Sequence, residues 1–241
     1  MRLGWLLAVV CLAGSTSAGV PKLIEPKLRL PPSPAGVIRV ALTFDACDGH
    51  VDRRILDALE TGNIPATIFV SGKWLARNPD AFAELLSRPD LFELEDHGAK
   101  HLPAIAAPTQ IYGLRAAGSV AAVQAEVAGG AQALVVAGGA APQWFRGAAA
   151  EYDAQAMAVI QGMGFEIAGF SRNGDGGASL SERQTAKVIG AAQDGDVILS
   201  HINQPGHAAG AGVVEGIAAL QARGVVFVRL EDVFPHRRGP F

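Results

Sequence analysis

The chain has 241 residues, with 20 basic side chains against 23 acidic ones and a formal net charge of −3 at pH 7. Apolar residues make up 49% of the chain and charged residues 18%, a balance that excludes an intrinsically disordered protein. The slightly acidic charge argues against recognition of nucleic acid by a basic surface. This length forms one large domain or two small ones, with a substantial core.

The amino-terminal residues carry the pattern of an export signal. A basic start precedes an apolar run, Leu3–Gly14, and small residues follow up to Ala18. The pattern predicts a secretory signal peptide over residues 1–18, cleaved after Ala18. The apolar run is shorter than the ~20 residues of a spanning helix, and the alternative is an uncleaved anchor. We therefore expect a periplasmic or secreted protein with no transmembrane segment after signal cleavage.

The next segment and the cysteines bear on how the exported chain is organised. Residues 19–37 include a proline-rich stretch and are predicted to form an extended linker. The folded domain is expected over residues 38–236. Cleavage would remove Cys11 and leave Cys47 alone, so no intramolecular disulfide is expected.

From residue 38 onward, short apolar runs alternate seven times with helical stretches. The predicted strands, apolar as expected for strands buried on both faces, are Ile38–Phe44, Ala66–Val70, Leu91–Glu95, Gln143–Phe145, Phe165–Phe170, Asp196–Ser200 and Val225–Leu230. Predicted helices, most of them followed by a glycine, are Asp52–Thr61, residues 78–87, Asp153–Gln161, Ser181–Ala192 and Val213–Arg223. The Ala/Gly-rich stretch Pro108–Gly139 is predicted to hold one helix and a looser segment.

This alternation predicts an α/β fold with a parallel sheet covered by helices, either an open sheet or a closed barrel. Polar side chains follow five of the seven predicted strands, and they are Asp45, Asp48, Asp96, His97, His101, Arg146, Asp175 and His201. In a β/α barrel, the carboxyl ends of the strands ring a single mouth. The pattern therefore favours a distorted (β/α)7-type barrel in a single domain.

Two histidines, His97 and His101, stand four residues apart. On a helical turn both would face the same side, where they could bind one metal ion. A zinc protease of the H-E-x-x-H type is excluded because Gly98 replaces the glutamate. Two histidines with one carboxylate suit Zn²⁺ and also non-haem Fe(II). The alternative is a pair of surface histidines.

Two carboxylates, Asp45 and Asp48, follow the first predicted strand. Ionised carboxylates so close together repel each other unless a cation lies beside them. A metal on one and an arginine on the other would remove the repulsion. Arg146 leaves another strand end after an apolar Trp-Phe pair, and it is the candidate arginine; the alternative is an ordinary surface charge.

A third group of candidates lies near the carboxyl end of the chain. His201 ends a strongly apolar strand and is either catalytic or a hydrogen-bonded core histidine. Asp175 lies in a glycine-rich stretch and would orient His201; its alternative is an ordinary turn aspartate.

In their order and spacing, five segments resemble the polysaccharide deacetylases of the NodB homology type, carbohydrate esterase family 4. The segments are Leu42–Asp45, His97–His101, Phe145–Gly147, the stretch around Asp175, and Leu199–His201. The resemblance covers about residues 38–234. It implies a distorted barrel and a divalent metal, and an activity that removes N-acetyl, sometimes O-acetyl, groups from sugar polymers.

The resemblance also implies a role for each candidate residue. The implied roles are catalytic base for Asp45, holder of that base for Arg146, general acid for His201, support of the acid for Asp175, oxyanion stabilisation by the backbone N–H of Ala149, and metal binding by Asp48, His97 and His101.

The chain departs from the family pattern at three places. The first motif of the family has two adjacent aspartates, whereas two residues separate Asp45 from Asp48 here, so Cys47 is an alternative ligand because Zn²⁺ accepts thiolate. The usual Arg-Pro-Pro-Tyr-Gly of the third motif is replaced after Arg146 by Gly-Ala-Ala-Ala, which keeps a backbone N–H but loses a side chain. The fourth motif has Gly176 in place of its aromatic residue.

The sequence therefore predicts a hydrolase that uses metal-activated water, with zinc as the metal that fits best and an acetylated polysaccharide or oligosaccharide as the substrate. One rival is a catalytically impaired glycan-binding module on the same barrel; another is a metal-dependent oxygenase. A serine hydrolase is a weaker rival still, because no Gly-x-Ser-x-Gly motif occurs. Substrate choice is assigned to loops 103–113 and 203–212, while the glycan and the oligomeric state are left open.

Overall fold

A computed structural model describes residues 21–34 and 36–234; the predicted signal peptide, residues 1–18, lies outside the described residues. The strands in chain order are β1 (Arg39–Ala46), β2 (Ala66–Val70), β3 (Phe92–Asp96), β4 (Gln110–Ile111), β5 (Leu114–Arg115), β6 (Trp144–Phe145), β7 (Glu166–Ile167), β8 (Arg172–Asn173), β9 (Val197–His201) and β10 (Val226–Val228). The α-helices are α1 (Arg53–Thr61), α2 (Gly72–Arg77), α3 (Pro79–Ser87), α4 (Val120–Val136), α5 (Ala154–Gly162), α6 (Glu182–Gly190) and α7 (Ala209–Ala222).

The sheet is parallel and curls round on itself. Within the described residues its order is β7-β6-β3-β2-β1-β9-β8, with β10 beside the start of β1. Strands β7 and β8 are close in sequence but pair with β6 and β9, at opposite ends of this order. The short segment between them thus joins the two ends, and this confirms the predicted single-domain α/β fold of the (β/α)7 barrel type.

The alternation of side chains along β1 shows how the core is divided. Leu42 and Phe44 pack outward against helix α1, whereas Ala41 packs inside the curled sheet. Thr43 and Asp45 share this inner face and are fully or almost fully buried. The strand is therefore buried on both faces, which explains its nearly continuous apolar sequence.

Several of the elements found differ from those predicted, helix α2 and strand β7 among them. Helix α2 was not predicted; its amino-terminal N–H groups are capped by the Ser71 hydroxyl, which accepts from the backbone of Trp74. The predicted strand over residues 165–170 is interrupted after β7 at Gly169. A Cβ at Gly169 would collide with the carbonyl oxygen of Pro26, so the glycine allows the amino-terminal segment to approach closely.

The amino-terminal segment 21–34, part of the predicted linker, packs along the barrel. Ile24 forms an antiparallel bridge with Tyr152, and the backbone N–H of Leu30 donates to the carbonyl of Gly195. Leu30 is itself buried. Among the described helices, none is both long enough and apolar enough to cross a membrane.

Candidate active site

The carboxyl ends of strands β1, β6 and β9 open into one cavity of about 500 Å³. The polar groups predicted from the sequence meet there, and the cavity is lined among others by Asp45, Cys47, His97, His101, Ala149 and His201. The curl of the sheet brings together side chains that are up to 156 positions apart in the sequence.

Asp45 and Arg146 form a buried ion pair at the base of this cavity. The Nη1 of Arg146 lies 3.0 Å from Asp45 Oδ1 and 2.9 Å from the hydroxyl of Thr43. Its remaining nitrogens donate to the carbonyls of Ala168 and Gly169, so the guanidinium is held in one orientation. Burial by itself would raise the pKa of Asp45, but the charges of its neighbours, His97 and Arg146 first, lower it below its ordinary value.

His201 and Asp175 form the second pair. Strands β1 and β9 run in register so that Asp45 lies opposite His201. The Nδ1 of His201 lies 3.0 Å from one oxygen of Asp175, and the other oxygen accepts from the backbone N–H of His201 at 2.7 Å. Burial would lower the pKa of His201, yet its hydrogen bond to Asp175 and the nearby Cys47 raise it well above its ordinary value. The direction of this shift favours the protonated form of the imidazole.

The two histidines that follow β3 lie on a loop, so the helical turn expected for them is wrong. Gly98 has φ +83° and His101 has φ +58°, conformations outside a right-handed helix. The ring centroids of His97 and His101 are nevertheless 5.0 Å apart. The two rings are therefore brought together by a loop with left-handed residues, which the four-residue spacing of the histidines did not indicate.

Glu126 on helix α4 organises this loop, and the sequence analysis missed it. Its side chain is buried, and one carboxylate oxygen accepts from the backbone N–H groups of Lys100 and Leu102 at 2.9 and 3.0 Å. Its backbone carbonyl accepts from Ala99. One feature could have revealed it, since Glu126 is the only charged residue in the sequence of α4.

Cys47, His97 and His101 form a cluster of potential metal ligands. One donor atom from each lies within 4.8 Å of the other two. The Nδ1 of His97 donates to the carbonyl of Arg146 at 2.5 Å, which leaves Nε2 to face Cys47 Sγ at 3.3 Å. Metal-binding histidines usually have such a hydrogen bond at their other nitrogen. These three residues therefore fit a divalent metal ion.

Asp48, although it is among the described residues, is not a member of this cluster. Its carboxylate is 42% exposed and lies 3.2 Å from Arg77 Nη2 and 4.0 Å from Lys73 Nζ. One of its oxygens also accepts from the backbone N–H of Gly49 at 2.8 Å. The charge of Asp48 is paired with surface cations, and metal binding by Asp48 stays a prediction.

Ala149 lies at the wall of the cavity in a left-handed conformation. It has φ +66°, and Ala150 beside it has φ +51°. The turn is supported from below by Tyr152, whose buried hydroxyl accepts from the backbone N–H of Gly147 at 2.8 Å. The backbone that is predicted to stabilise an oxyanion is thus held in an uncommon conformation at the site itself.

Fold and site together define a class of protein: a distorted (β/α)7 barrel with carboxylates, imidazoles and a thiol gathered at the carboxyl ends of its strands. The sequence pattern of the polysaccharide deacetylase family matches residues 33–168, more than half of the chain. The chain therefore belongs to the polysaccharide deacetylase family, the NodB homology domain predicted from the motifs. No curated protein matches it.

Solved structures of family 4 carbohydrate esterases share this fold. The Bc1960 peptidoglycan N-acetylglucosamine deacetylase has a TM-score of 0.70 at 23% identity, with 86% of this chain and 92% of that chain covered. A family 4 acetyl xylan esterase from Clostridium thermocellum, in complex with a cobalt ion, has a TM-score of 0.66 at 24% identity, with 81% of this chain and 90% of that chain covered. The family 4 pseudoenzyme BA3943 from Bacillus anthracis has a TM-score of 0.66 at 15% identity, with 82% of this chain and 66% of that chain covered.

Proposed function

We propose that this protein is a metal-dependent deacetylase that removes acetyl groups, above all N-acetyl groups, from a polysaccharide or oligosaccharide. One observation carries the proposal: a carboxylate held by Arg146 and an imidazole held by Asp175 lie opposite each other on β1 and β9, beside a cluster of metal donors. A base and an acid with different partners are what hydrolysis of an amide requires.

The metal would be held by His97 and His101 together with a third donor, and zinc fits imidazole ligands well. When bound, such an ion supplies Lewis acidity, which lowers the pKa of water and polarises the acetyl carbonyl. The remaining chemistry belongs to the side chains of the chain itself.

Asp45 acts as the general base in this proposal. Its lowered pKa keeps it ionised, so it can accept a proton from the water that attacks the acetyl carbon. Arg146 holds the carboxylate in place through Oδ1 and leaves the other oxygen on the side of His97. The backbone N–H of Ala149 is assigned to the oxyanion that forms on the carbonyl oxygen.

His201 acts as the general acid. It gives its proton to the nitrogen of the sugar as the carbon–nitrogen bond breaks, so that the nitrogen leaves as a neutral amine instead of its anion. Asp175 accepts from Nδ1 and thereby presents Nε2 to the cavity. The products are acetate and a free amino sugar.

A second candidate is a glycan-binding module on the same barrel that has lost turnover. The altered third and fourth motifs favour it, and a pseudoenzyme is among the structural neighbours. The intact contacts of Asp45 with Arg146 and of His201 with Asp175 favour catalysis instead.

The experiment is an acetate-release assay on a panel of acetylated glycans, each with and without a chelator. We expect release from at least one glycan, its loss with the chelator, and its return with added zinc. His201→Ala should abolish turnover while retaining the metal, whereas His97→Ala should lose both. Full activity in either variant, or metal binding without release from any glycan, would contradict the proposal.

The proposed substrate fits an exported protein. We propose that the chain is processed after Ala18 and acts on a glycan outside the cytoplasm. Amino-terminal sequencing of the protein recovered from a secreting host should begin at residue 19; retention of residues 1–18 would contradict this.

A further inference from the structure

We propose that Cys47 is the third metal ligand, in the position that the family resemblance assigned to Asp48. The inference deepens the proposed function and rests on it for the identity of the site. The inference is tested by identifying the ligands around the metal ion, whereas the proposed function is tested by acetate release. The inference can therefore fail while the proposed function is confirmed.

The arrangement of donors supports Cys47. Its Sγ is buried and faces Nε2 of His97 at 3.3 Å, within the same 4.8 Å cluster as His101. Because the carbonyl of Arg146 occupies Nδ1 of His97, the nitrogen that is left for a metal is the one that faces the sulfur.

Hydrogen bonds hold the backbone of the loop that carries Cys47 and Asp48. The backbone carbonyl of Cys47 accepts from Ser71, and that of Asp48 accepts from the side chain of Asn203. Gly49 has φ +97°, and a Cβ there would lie 2.8 Å from the carbonyl oxygen of Asn203. Bringing the Asp48 carboxylate into the cluster would break its ion pair with Arg77 and its hydrogen bond from the backbone N–H of Gly49.

A thiolate in this position has a chemical consequence. It carries the same charge as a carboxylate, so the net charge of the ligand set is the same as with aspartate. Thiolate is softer, however, and favours zinc or cobalt over magnesium and manganese. The chain should therefore be more selective for zinc than a variant with an aspartate at this position.

The test uses the full chain with Cys11→Ser, so that Cys47 is its single thiol. X-ray absorption of the zinc-loaded protein should show one sulfur at about 2.3 Å together with nitrogen ligands at about 2.0–2.1 Å. The cobalt-loaded protein should show near-ultraviolet thiolate-to-cobalt charge-transfer absorption. Cys47→Ser should abolish this absorption and weaken zinc binding at least about tenfold. The matched control, Asp48→Asn, should change neither.

Cys47→Asp provides a second variant if the serine substitution impairs folding. It should bind metal without the charge-transfer absorption and should take manganese more readily than the parent protein. Zinc surrounded only by nitrogen and oxygen in the parent, or loss of zinc from Asp48→Asn with retention in Cys47→Ser, would overturn the inference. Trapping of an acetylated Cys47 during turnover would also overturn it, by assigning the thiol as a nucleophile.

A different observation concerns the hairpin of β4 and β5, where we further infer that Tyr112 determines affinity for polymeric substrate. Tyr112 and Gly113 form the two-residue turn, and both have positive φ, +49° and +78°. Such turns favour asparagine, aspartate and glycine, and a bulky residue there is strained. The chain thus places an aromatic ring where local stability favours a small residue.

The position of this ring indicates what it contacts. Tyr112 is 78% exposed, yet it lines the same cavity as His101 and His201. Its hydroxyl donates to the carboxylate of Glu151 at 3.1 Å, which orients the ring at the cavity mouth. An exposed aromatic ring with a fixed polar end can pack against the apolar face of a sugar ring. The inferred partner is a sugar unit next to the one that loses its acetyl group.

Kinetics with an acetylated oligosaccharide and with an aryl acetate that has no sugar test this inference, which rests on the proposed activity. Tyr112→Asn should leave the melting temperature unchanged or raised. It should increase KM for the oligosaccharide several-fold at nearly constant kcat, with no effect on the aryl acetate. Tyr112→Phe should keep most of the affinity. An unchanged KM in Tyr112→Asn, or equal losses on both substrates, would overturn the inference.

Discussion

Arg146 shows most clearly how a single residue joins stability to chemistry. Its side chain is fully buried and donates to two backbone carbonyls, to Thr43 and to Asp45. The guanidinium also lies over the ring of Phe69, 4.2 Å from its centroid. A buried charge of this kind is tolerated because every contact compensates for lost water. The same contacts hold the proposed base in one orientation.

Replacing Arg146 should therefore affect both stability and activity. Arg146→Met leaves Asp45 buried without its main hydrogen-bonding cation, and we expect a loss of about 3–5 kcal/mol in the free energy of unfolding. Arg146→Lys should also lose most activity, because a lysine cannot reproduce the planar set of donors. Denaturant unfolding and acetate release measure the two effects. The exposed Arg183 on α6 is the control, and Arg183→Lys should change neither.

Three residues of the site could be placed from the sequence because each directly follows a predicted strand. Asp45, Arg146 and His201 lie at strand ends, where the topology fixes their position. The choice between Cys47 and Asp48 could not be predicted from strand ends. Both residues lie on a loop, and the contacts of that loop decide which of the two side chains faces the cavity. Motif order ranked Asp48 first, whereas the hydrogen bonds of the loop turn it outward.

Helix α4 and the loop after β3 act together at the level of elements. The loop has no regular structure of its own, and the Glu126 carboxylate accepts from its backbone N–H groups at Lys100 and Leu102. Gly98 makes this possible, since a Cβ there would collide with the Glu126 carboxylate. The positions of both histidine rings therefore depend on a helix that supplies no residue to the cavity.

Substitution of Glu126 tests this dependence. Glu126→Ala leaves two backbone N–H groups without an acceptor and should weaken zinc binding by about 10–100-fold, the effect expected for residues that support metal ligands. Glu126→Gln keeps an acceptor oxygen and should retain most of the affinity. Zinc titration with a competing chelator measures both. Equal zinc affinities in the parent and in Glu126→Ala would show that the loop keeps its conformation without Glu126, and would contradict this role.

The elements themselves were largely predictable from apolar periodicity and glycine stops. Strands β1, β2 and β9 and helices α1 and α5 lie where they were predicted, within two residues at each end. The hairpin of β4 and β5 and helix α2 were not predicted. They are short, so they show too few apolar repeats for a period to emerge, and their ends are fixed by caps and tertiary contacts.

At the scale of the whole molecule, Asp196 ties the amino-terminal segment to the barrel. Its buried carboxylate accepts from Arg29 at 2.8 Å, from Ser171 at 2.8 Å and from Arg172 at 3.2 Å. It thereby links residues 21–34, the start of β9 and the segment before β8. Burial would raise the pKa of Asp196, but the backbone N–H of Gln193, the hydroxyl of Ser171 and the charge of Arg172 lower it below its ordinary value.

The pH dependence of stability should report this link. Because the pKa of Asp196 is lower in the folded chain than in the unfolded chain, its stabilisation is complete above the unfolded pKa and is lost as pH falls through the folded pKa. Asp196→Asn should lower the free energy of unfolding at pH 7 by about 1–3 kcal/mol. The difference in the free energy of unfolding between the parent and Asp196→Asn should become smaller below about pH 4. A difference that does not change with pH would contradict the assignment.

The central claim is that this barrel hydrolyses acetamide groups on sugars with Asp45 as base and His201 as acid. The most direct measurement counts acetate and free amino groups formed together from an N-acetylated oligosaccharide by the zinc-loaded protein. The account predicts equal amounts of both products from the parent and neither from Asp45→Asn with zinc still bound. Undiminished product from zinc-loaded Asp45→Asn, or none from the zinc-loaded parent on any acetylated glycan, would contradict it.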